Sequence, residues 1–299
     1  MLPVSVSVIM PVYNTEKYVG EAIESILNQE FADFEFIIID DGSTDNSLQV
    51  IQSYNDPRIR LITNNSNIGN YPSRNRAMQL AQGKYICVMD ADDIAMPNRL
   101  LTQFNFMEFN PDYVALGSFA FVLHANGSTT QGIRTFGEDN CKIRLLQTNI
   151  SYHPSMILRR ETLVEYNIKY DEQYIYAADF DLMVQLSKVG IVNNIPSFLL
   201  YYRIHSEQIS ISKYKEQQIY ADRIRLGQLQ KFGFNPTPQE SELHLKLMTQ
   251  KPLKDYEIVN AEKWTDKLVE QNRKYSLFNH KLFTHFLKNE IMAFYLSKN

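Results

Sequence analysis

The sequence predicts an α/β fold, a mostly parallel sheet flanked by helices with a helical C-terminal region, and three observations carry that prediction. From Val4 to Met89 short apolar runs alternate with stretches of helical periodicity, the pattern of βαβ units. Beyond Ser210 strand-like runs vanish and charged helical patterns dominate. The 299 residues are 44% hydrophobic and 21% charged, an ordinary composition that can bury a sizeable core and excludes collagen-like and disordered classes. At roughly 100–200 residues per domain, we divide the chain into a larger unit, 1–210, with halves of about 1–100 and 101–210, and a helical appendage, 211–299.

The elements follow in order. Val4–Met10 reads as the first strand and Phe34–Ile39 as the second. Between them Tyr18, Val19, Ala22, Ile23, Ile26 and Leu27 recur at helical spacing, with Thr15 as the expected N-cap. A helix from Ser43–Asp45 turns Leu48 and Ile51 inward and precedes a strand at Arg58–Ile62. The spacing predicts another helix from Pro72 to Gln82, with Gly83 at C′, and then the strand Lys84–Met89. Pro97 opens a helix bearing Leu100, Leu101, Phe104 and Met107, and Tyr113–Leu123 reads as a strand ending in an Asn126-Gly127 turn. Strand-like runs at Ser155–Leu158 and Phe198–Ile204 flank a helix from Asp179 to Val189. A break at Phe234–Pro238 divides the C-terminal helices, whose last one carries Phe278, Leu282, Phe286, Leu287, Ile291, Phe294 and Tyr295. That face reads first as packing on the larger unit, with a homodimer contact or docking to a lipid-linked acceptor as the outward alternatives.

Thirty basic against 34 acidic side chains leave a formal charge of −4, which gives no global reason to bind nucleic acid. Cys87 and Cys141 are too few for a disulfide framework and read as reduced thiols. The N-terminus runs straight into an apolar strand without a basic leader, and no apolar run reaches the ~18–20 residues of a transmembrane span. The expected compartment is the cytoplasm, with peripheral contact at the inner face of the cell membrane as the alternative.

The densest chemistry lies at strand ends. Asp90-Ala91-Asp92-Asp93 follows the apolar strand Tyr85–Val88, and ligands of open α/β sheets bind beyond such ends. Three crowded carboxylates repel one another, and a hard divalent cation, Mn²⁺ or Mg²⁺, relieves that repulsion; a solvated turn before the Pro97 helix is the plainer alternative. A second acidic pair, Asp40-Asp41, with Gly42-Ser43-Thr44-Asp45, ends the second strand and suits ribose or base contacts, or simply a turn. Pro11-Val12-Tyr13-Asn14 ends the first strand and offers an aromatic to stack on a base. Neither a Walker loop nor a G-x-G-x-x-G follows the first strand, which removes ATPase and nicotinamide dehydrogenase readings.

In order and spacing, Val6–Asn14, Ser25-Ile26-Leu27-Asn28-Gln29, Ile39–Asp45, Asn67-Ile68-Gly69, Arg74-Asn75, Gly83-Lys84-Tyr85 and Asp90–Asp93 resemble the family 2 inverting glycosyltransferases of GT-A fold, of bacterial polysaccharide-biosynthesis type. The resemblance is dense over 4–100, thins through His153-Pro154-Ser155, Asp179-Phe180-Asp181-Leu182 and Tyr202-Arg203-Ile204-His205, and fades near 210. It implies a GT-A, Rossmann-like fold with a nucleotide-binding half at 1–100 and an acceptor half at 101–210. It also implies transfer of a hexose or N-acetylhexosamine from a nucleotide-diphosphate sugar, UDP-linked by expectation, to a hydroxyl of a glycan or lipid-linked glycan.

The residue roles come with the resemblance. Asp92 would bind the metal, and Asp90 would reach the ribose or the metal through water. Asp41 would accept from the base, Pro11 and Tyr13 would line its pocket, and Arg74 would lie near the ribose or diphosphate unless it is a solvated helix residue. Asp179 is the expected general base, with Asp181 as competitor and helix capping as its other reading. The usual acid before the base is Ala178 here. His205 stands where some relatives add a metal or diphosphate contact, and is otherwise a structural hydrogen-bonder. His153 reads as packed or beside the acceptor, and Arg159-Arg160 as a surface pair. Two rival functions stand beside this one. A sugar-nucleotide nucleotidyltransferase should carry a Gly-rich basic loop after the first strand, which is missing; a non-catalytic nucleotide-sugar-binding homologue has Ala178 as its one support.

Overall fold

The computed structural model describes residues 4–206 and 208–296, apart from the side chains at 209, 231 and 293–296, so Phe294 and Tyr295 lie outside the described side chains. Four parallel strands open the fold: β1 (Val6–Val12), β2 (Phe34–Asp40), β3 (Ile59–Thr63) and β4 (Tyr85–Val88), in the spatial order 3-2-1-4. The helices α1 (Val19–Leu27), α2 (Ser47–Gln52) and α3 (Asn70–Leu80) connect them. β1 and β2 are almost wholly apolar because helices or later elements cover both faces of the sheet. Ile9, Ile37 and Ile39 enter one core, whereas Val8, Met10, Phe36 and Ile38 enter the other, the two-residue alternation of a strand between two layers. From β1 the chain runs outward to β2 and β3 and returns on the other side as β4. The carboxyl ends of β1 and β4 therefore flank a topological switch point.

Past β4 the simple alternation ends. β5 (Ile94–Ala95), α4 (Arg99–Phe109), β6 (Tyr113–Leu123), β7 (Thr129–Gly132) and α5 (Glu138–Arg144) come next. A 3₁₀ turn at His153–Ser155 then leads into β8 (Ile157–Arg159), α6 (Arg160–Glu165), α7 (Ala178–Leu186) and β9 (Ile191–Arg203). The sheet continues β4-β8-β6-β9-β5, with β7 on β6. β8 is antiparallel to both β4 and β6, which returns β6 and its partner β9 to the direction of the first four strands.

Five helices close the chain: α8 (Ile209–Ser212), α9 (Tyr214–Lys231), α10 (Pro238–Met248), α11 (Asp255–Tyr275) and α12 (His280–Leu296). A capping box starts α10: the Thr237 hydroxyl accepts from Glu240 N at 3.2 Å while the Glu240 carboxylate accepts from Thr237 N at 2.8 Å. Leu243, Leu247, Trp264, Leu268, Phe278, Phe283 and Leu287 form a third core, which also takes in Ile143 and Leu146 from the α5 region. α9, which begins just past the expected division near 210, packs against residues on both sides of it. Its Ala221 and Ile224 join a sheet core, its Leu229 joins the third core, and Arg225 and Gln228 donate to the carbonyls of Gln147 (2.7 Å) and Leu145 (2.9 Å). Among the described residues no helix is long and apolar enough to cross a membrane.

Several local expectations are corrected. Thr15 does not cap α1; its carbonyl accepts from Tyr18 N and Val19 N, its hydroxyl has no partner, and the N-cap is Tyr18. α3 begins at Asn70, so Pro72 falls in its first turn, where its missing N–H costs nothing. Gly83 is not a left-handed C′ residue. It lies so close to β1 that a Cβ there would stand 2.5 Å from Ser7 N, and its own N–H donates to Ser7 Oγ at 2.8 Å. Arg159 is no surface residue either: it is half-buried and donates to the carbonyls of Tyr113, Met107 and Asn110 and to the Tyr85 hydroxyl. Both cysteines are buried free thiols, and burial pushes each up to about 12.

Candidate active site

β4 runs out at Val88, and the next turn places Asp90, Asp92 and Asp93 so that one carboxylate oxygen from each lies within 4.8 Å of the others. Asp93 is buried; its Oδ1 accepts from Arg203 N at 2.8 Å, while Oδ2 has no partner. Burial, with Asp92 and Asp90 alongside, holds the Asp93 carboxyl well above the usual range. Asp90 is raised as well, by burial first and then by Asp92 and Asp179, against the pull of Arg74. Such crowding is the arrangement a divalent cation relieves. The orphaned Asp93 Oδ2 and the all-oxygen character of the three acids fit a hard ion.

Two cations lie beneath these acids. Arg74, on α3, is only 1% exposed and pairs through Nη2 with Asp90 while Nε donates to Asn70 Oδ1 at 3.0 Å, so it is not a solvated helix residue. Its Nη1 is buried without an acceptor. Burial lowers the guanidinium's pKa, but Asp90 outweighs that and leaves it raised. Arg99, at the start of α4, is wholly buried and donates to Val88 O at 2.7 Å, which ties the end of β4 from below.

The return of β9 supplies the other wall. Arg203 donates from Nε to Asp92 O at 2.8 Å, pairs with Glu21 on α1, and lies 5.0 Å over the Tyr18 ring. Two residues later His205 Nε2 meets Asp92 Oδ2 at 2.9 Å, its ring 5.0 Å from Tyr18, and its Nδ1 is buried without a partner. Sequence-predicted Asp92 and His205 are thus in direct contact although 113 positions apart.

At the end of β2, Asp41 is buried and fully engaged. Oδ1 accepts from Asn64 Nδ2 (2.7 Å) and Ile68 N (3.0 Å), and Oδ2 accepts from Gly69 N (2.9 Å). Gly42 beside it has φ +72°, and a Cβ there would stand 2.7 Å from Ser66 C, so the 64–69 loop is pressed onto this turn. Across β1, Pro11 is half-buried, Tyr13 is 44% exposed, and Asn14 Oδ1 accepts from Thr44 N at 2.8 Å.

Asp179 is the second residue of α7, not its cap. Its Oδ1 accepts from the Tyr71 hydroxyl at 3.0 Å and its Oδ2 from Asn149 Nδ2 at 2.9 Å. It is half-buried, and its charge is among the causes that raise Asp90. Asp181 is buried and accepts from Gln185 at 2.6 Å. His153 has Nε2 on the Tyr170 hydroxyl at 2.9 Å, Nδ1 unpartnered, and burial pushes its pKa well down. Tyr170 stacks on Tyr71 with ring centroids 5.4 Å apart.

Sequence reasoning missed Tyr71, Asn149, Arg99 and Arg203. Arg203 lies within the quoted Tyr202–His205 segment and could have been given a role; Asn149 carries no local signal, because only the tertiary path of the loop brings it to Asp179.

A profile of the family described as "Glycosyl transferase family 2" matches residues 7–166. An uncharacterized glycosyltransferase of Methanocaldococcus jannaschii, MJ1057, is 37% identical over 226 residues, which cover 72% of this chain and 76% of that one. The Escherichia coli UDP-Glc:alpha-D-GlcNAc-diphosphoundecaprenol beta-1,3-glucosyltransferase WfaP is 29% identical over 211 residues, 71% and 82% of the two chains. The crystal structure of S. aureus TarS 1-349 in complex with UDP superposes over 97% of this chain and 89% of that one with a TM-score of 0.61 at 20% identity, which shows a shared GT-A architecture.

Proposed function

The chain belongs to glycosyl transferase family 2, and from that premise we propose that it moves a hexose or N-acetylhexosamine from a UDP-sugar to a hydroxyl of a lipid-linked glycan, with inversion at the anomeric carbon, in surface polysaccharide synthesis. The observation that carries the reading is the convergence of the Asp90–Asp93 acids, buried Arg74 and half-buried Asp179 at the switch point of the sheet. The UDP in the TarS complex and the named substrates of WfaP support the donor and acceptor classes.

Inversion in one displacement needs a base that takes the acceptor hydroxyl's proton as its oxygen attacks. We assign that role to Asp179. Tyr71 and Asn149 each donate to one of its oxygens, which fixes the carboxylate plane and leaves lone pairs for the incoming O–H. With Ala178 in the position of the usual acid, these two donors are the partners that the Asp179 carboxylate has. Asp92, with Asp90, Asp93 and His205, is suited to hold Mn²⁺ or Mg²⁺. When bound, such an ion offsets the charge that grows on the departing diphosphate. Arg74 orients Asp90 and opposes the rise that burial imposes on its pKa, and its free Nη1 offers a donor to the same charge. Pro11, Tyr13 and the Asp41 turn form the nucleoside side.

The reading is tested by thermal melting of the intact chain with UDP, GDP, UDP-glucose, UDP-N-acetylglucosamine and GDP-mannose, with and without Mn²⁺. A ligand that prefers the native state raises the melting temperature. UDP compounds should stabilise in a Mn²⁺-dependent way. Stabilisation by GDP compounds alone would change the donor, and no response to any nucleotide with metal present would overturn the proposal.

A further inference from the structure

Among the described residues, Arg134 has no anion. Its side chain is half-buried, its Nε is shielded from solvent without an acceptor, and among the described residues it makes no hydrogen bond or ion pair. Its guanidinium carbon lies 3.9 Å over the centroid of the Tyr152 ring. A cation withdrawn from water over an aromatic face gains from the ring's quadrupole, but that leaves its N–H donors free for an oxyanion, the partner a planar guanidinium fits best.

The surroundings show what kind of oxyanion. Tyr152 packs on Tyr202 with centroids 5.0 Å apart, and Tyr202 lies within the field of Asp93, Asp90 and Asp92. Three residues before Tyr152, Asn149 holds Asp179. Arg134 therefore stands over two rings that lead to the end of β9, beside the loop whose Asn149 holds the base. Next to it in sequence, Ile133 is 62% exposed and Phe136 52% exposed. Phe136 begins a row of rings that runs through Phe119, Phe198 and Phe121 to Tyr201, with successive centroids 6.0, 5.6, 4.6 and 5.5 Å apart. The segment is built firmly: Asn194 Nδ2 donates to Thr135 O at 2.7 Å, Gly137 N donates to Asn193 Oδ1 at 2.9 Å, and a side chain at Gly132 would collide with the Tyr152 hydroxyl.

We propose that Arg134, flanked by Ile133 and Phe136, is the docking site for the diphosphate and proximal isoprenoid units of a lipid-linked acceptor. The inference rests on the acceptor class proposed above and adds where it is read. A cation unpaired among the described residues, set between exposed apolar side chains and the catalytic acids, is complementary to an amphiphile whose charge sits where its sugar joins its hydrocarbon. Arg134 takes the phosphate oxygens, Ile133 and Phe136 take the hydrocarbon, and the sugar is directed toward Asp179.

The experiment is calorimetric titration of the full chain with farnesyl diphosphate, in Mn²⁺ and saturating UDP so that the donor site is filled. Arg134→Ala should weaken binding at least tenfold, Arg134→Lys should recover part of it, and Phe136→Ser should weaken it several-fold, with Mn²⁺-dependent UDP affinity unchanged in all three. Inorganic pyrophosphate should bind far more weakly than farnesyl diphosphate. Equal binding of farnesyl diphosphate by wild type and Arg134→Ala would overturn the proposal, as would pyrophosphate binding as tightly as the isoprenoid. So would retention of farnesyl diphosphate by Arg134→Ala with loss of sedimentation on phosphatidylglycerol vesicles, which would make the surface a general membrane contact. Failure of UDP to bind wild type would strike the donor reading instead, and the farnesyl titration without UDP would still decide this one.

Discussion

The carboxyl edge of the sheet and the C-terminal helices handle charge in opposite ways. At the edge, Asp93, Arg74, Arg99 and Asp41 are buried, and Asp93 Oδ2 and Arg74 Nη1 have no partner. In the helices the charges are paired locally, Lys246 with Glu242 and Glu257 and Lys267 with Glu240 toward the surface, and buried Arg225 with Asp222, over a core of Leu, Phe and Trp264. Exposed pairs of this kind contribute little each, so apolar burial holds the helices together. The edge keeps groups that destabilise the fold when no ligand is present, the usual mark of a site shaped for binding rather than for stability.

The largest test of that contrast is Asp92→Asn. It should lower transfer by about three orders of magnitude, in line with losing a direct metal contact, yet leave the melting temperature unchanged or slightly higher because one of three crowded charges is gone. A clear loss of stability with activity retained would make Asp92 structural and erase the distinction.

A smaller effect belongs to the helices. His244, on α10, is buried with Nδ1 accepting from Trp264 Nε1 at 3.4 Å and Nε2 unpartnered, beside a gap of about 10 Å³. Burial lowers its pKa to about 3. The unfolded chain therefore takes up a proton from about pH 6.5 downward while the folded one does not, and stability falls as the pH drops from 6.5 toward 3. By pH 5 the loss is about 2 kcal/mol at 1.36 kcal/mol per unit. His244→Gln should flatten that limb in urea unfolding measured from pH 7 to 5; an unchanged slope would move the sensitivity elsewhere, His153 being the next candidate.

The smallest effect tests orientation. Tyr71→Phe keeps the ring that stacks on Tyr170 and removes one donor from Asp179. The turnover number should fall about five- to tenfold, the scale of one hydrogen bond worth about 1 kcal/mol, with KM for the donor unchanged. Normal turnover would leave Asn149 as the sole orienting group, and a raised donor KM would place Tyr71 on the nucleotide side.

The first half of the fold was readable because β1, β2 and β4 are buried on both faces and so are written as plain apolar runs between helical periods. β9 was half hidden. Asn193, Asn194 and Pro196 look like a loop, but both Asn side chains are satisfied by the backbone of the 135–150 region, a solution only tertiary structure provides. The acids of the site were legible since strand ends concentrate ligand chemistry. Their supports were not. Arg159 and Arg99 look like surface charges, yet each finds backbone carbonyls inside the fold. Nothing near Ala178 announces that Tyr71 and Asn149, from distant segments, orient the following carboxylate.

Asp41 carries a last consequence. Its carboxylate already grips the amides of Ile68 and Gly69 and the side chain of Asn64, so the wall beside it is rigid before any ligand arrives. The entropy of ordering that loop is spent during folding, not at encounter. Association on this side should therefore be a single fast step, limited by diffusion and electrostatic steering, with residence time set by how quickly contacts break.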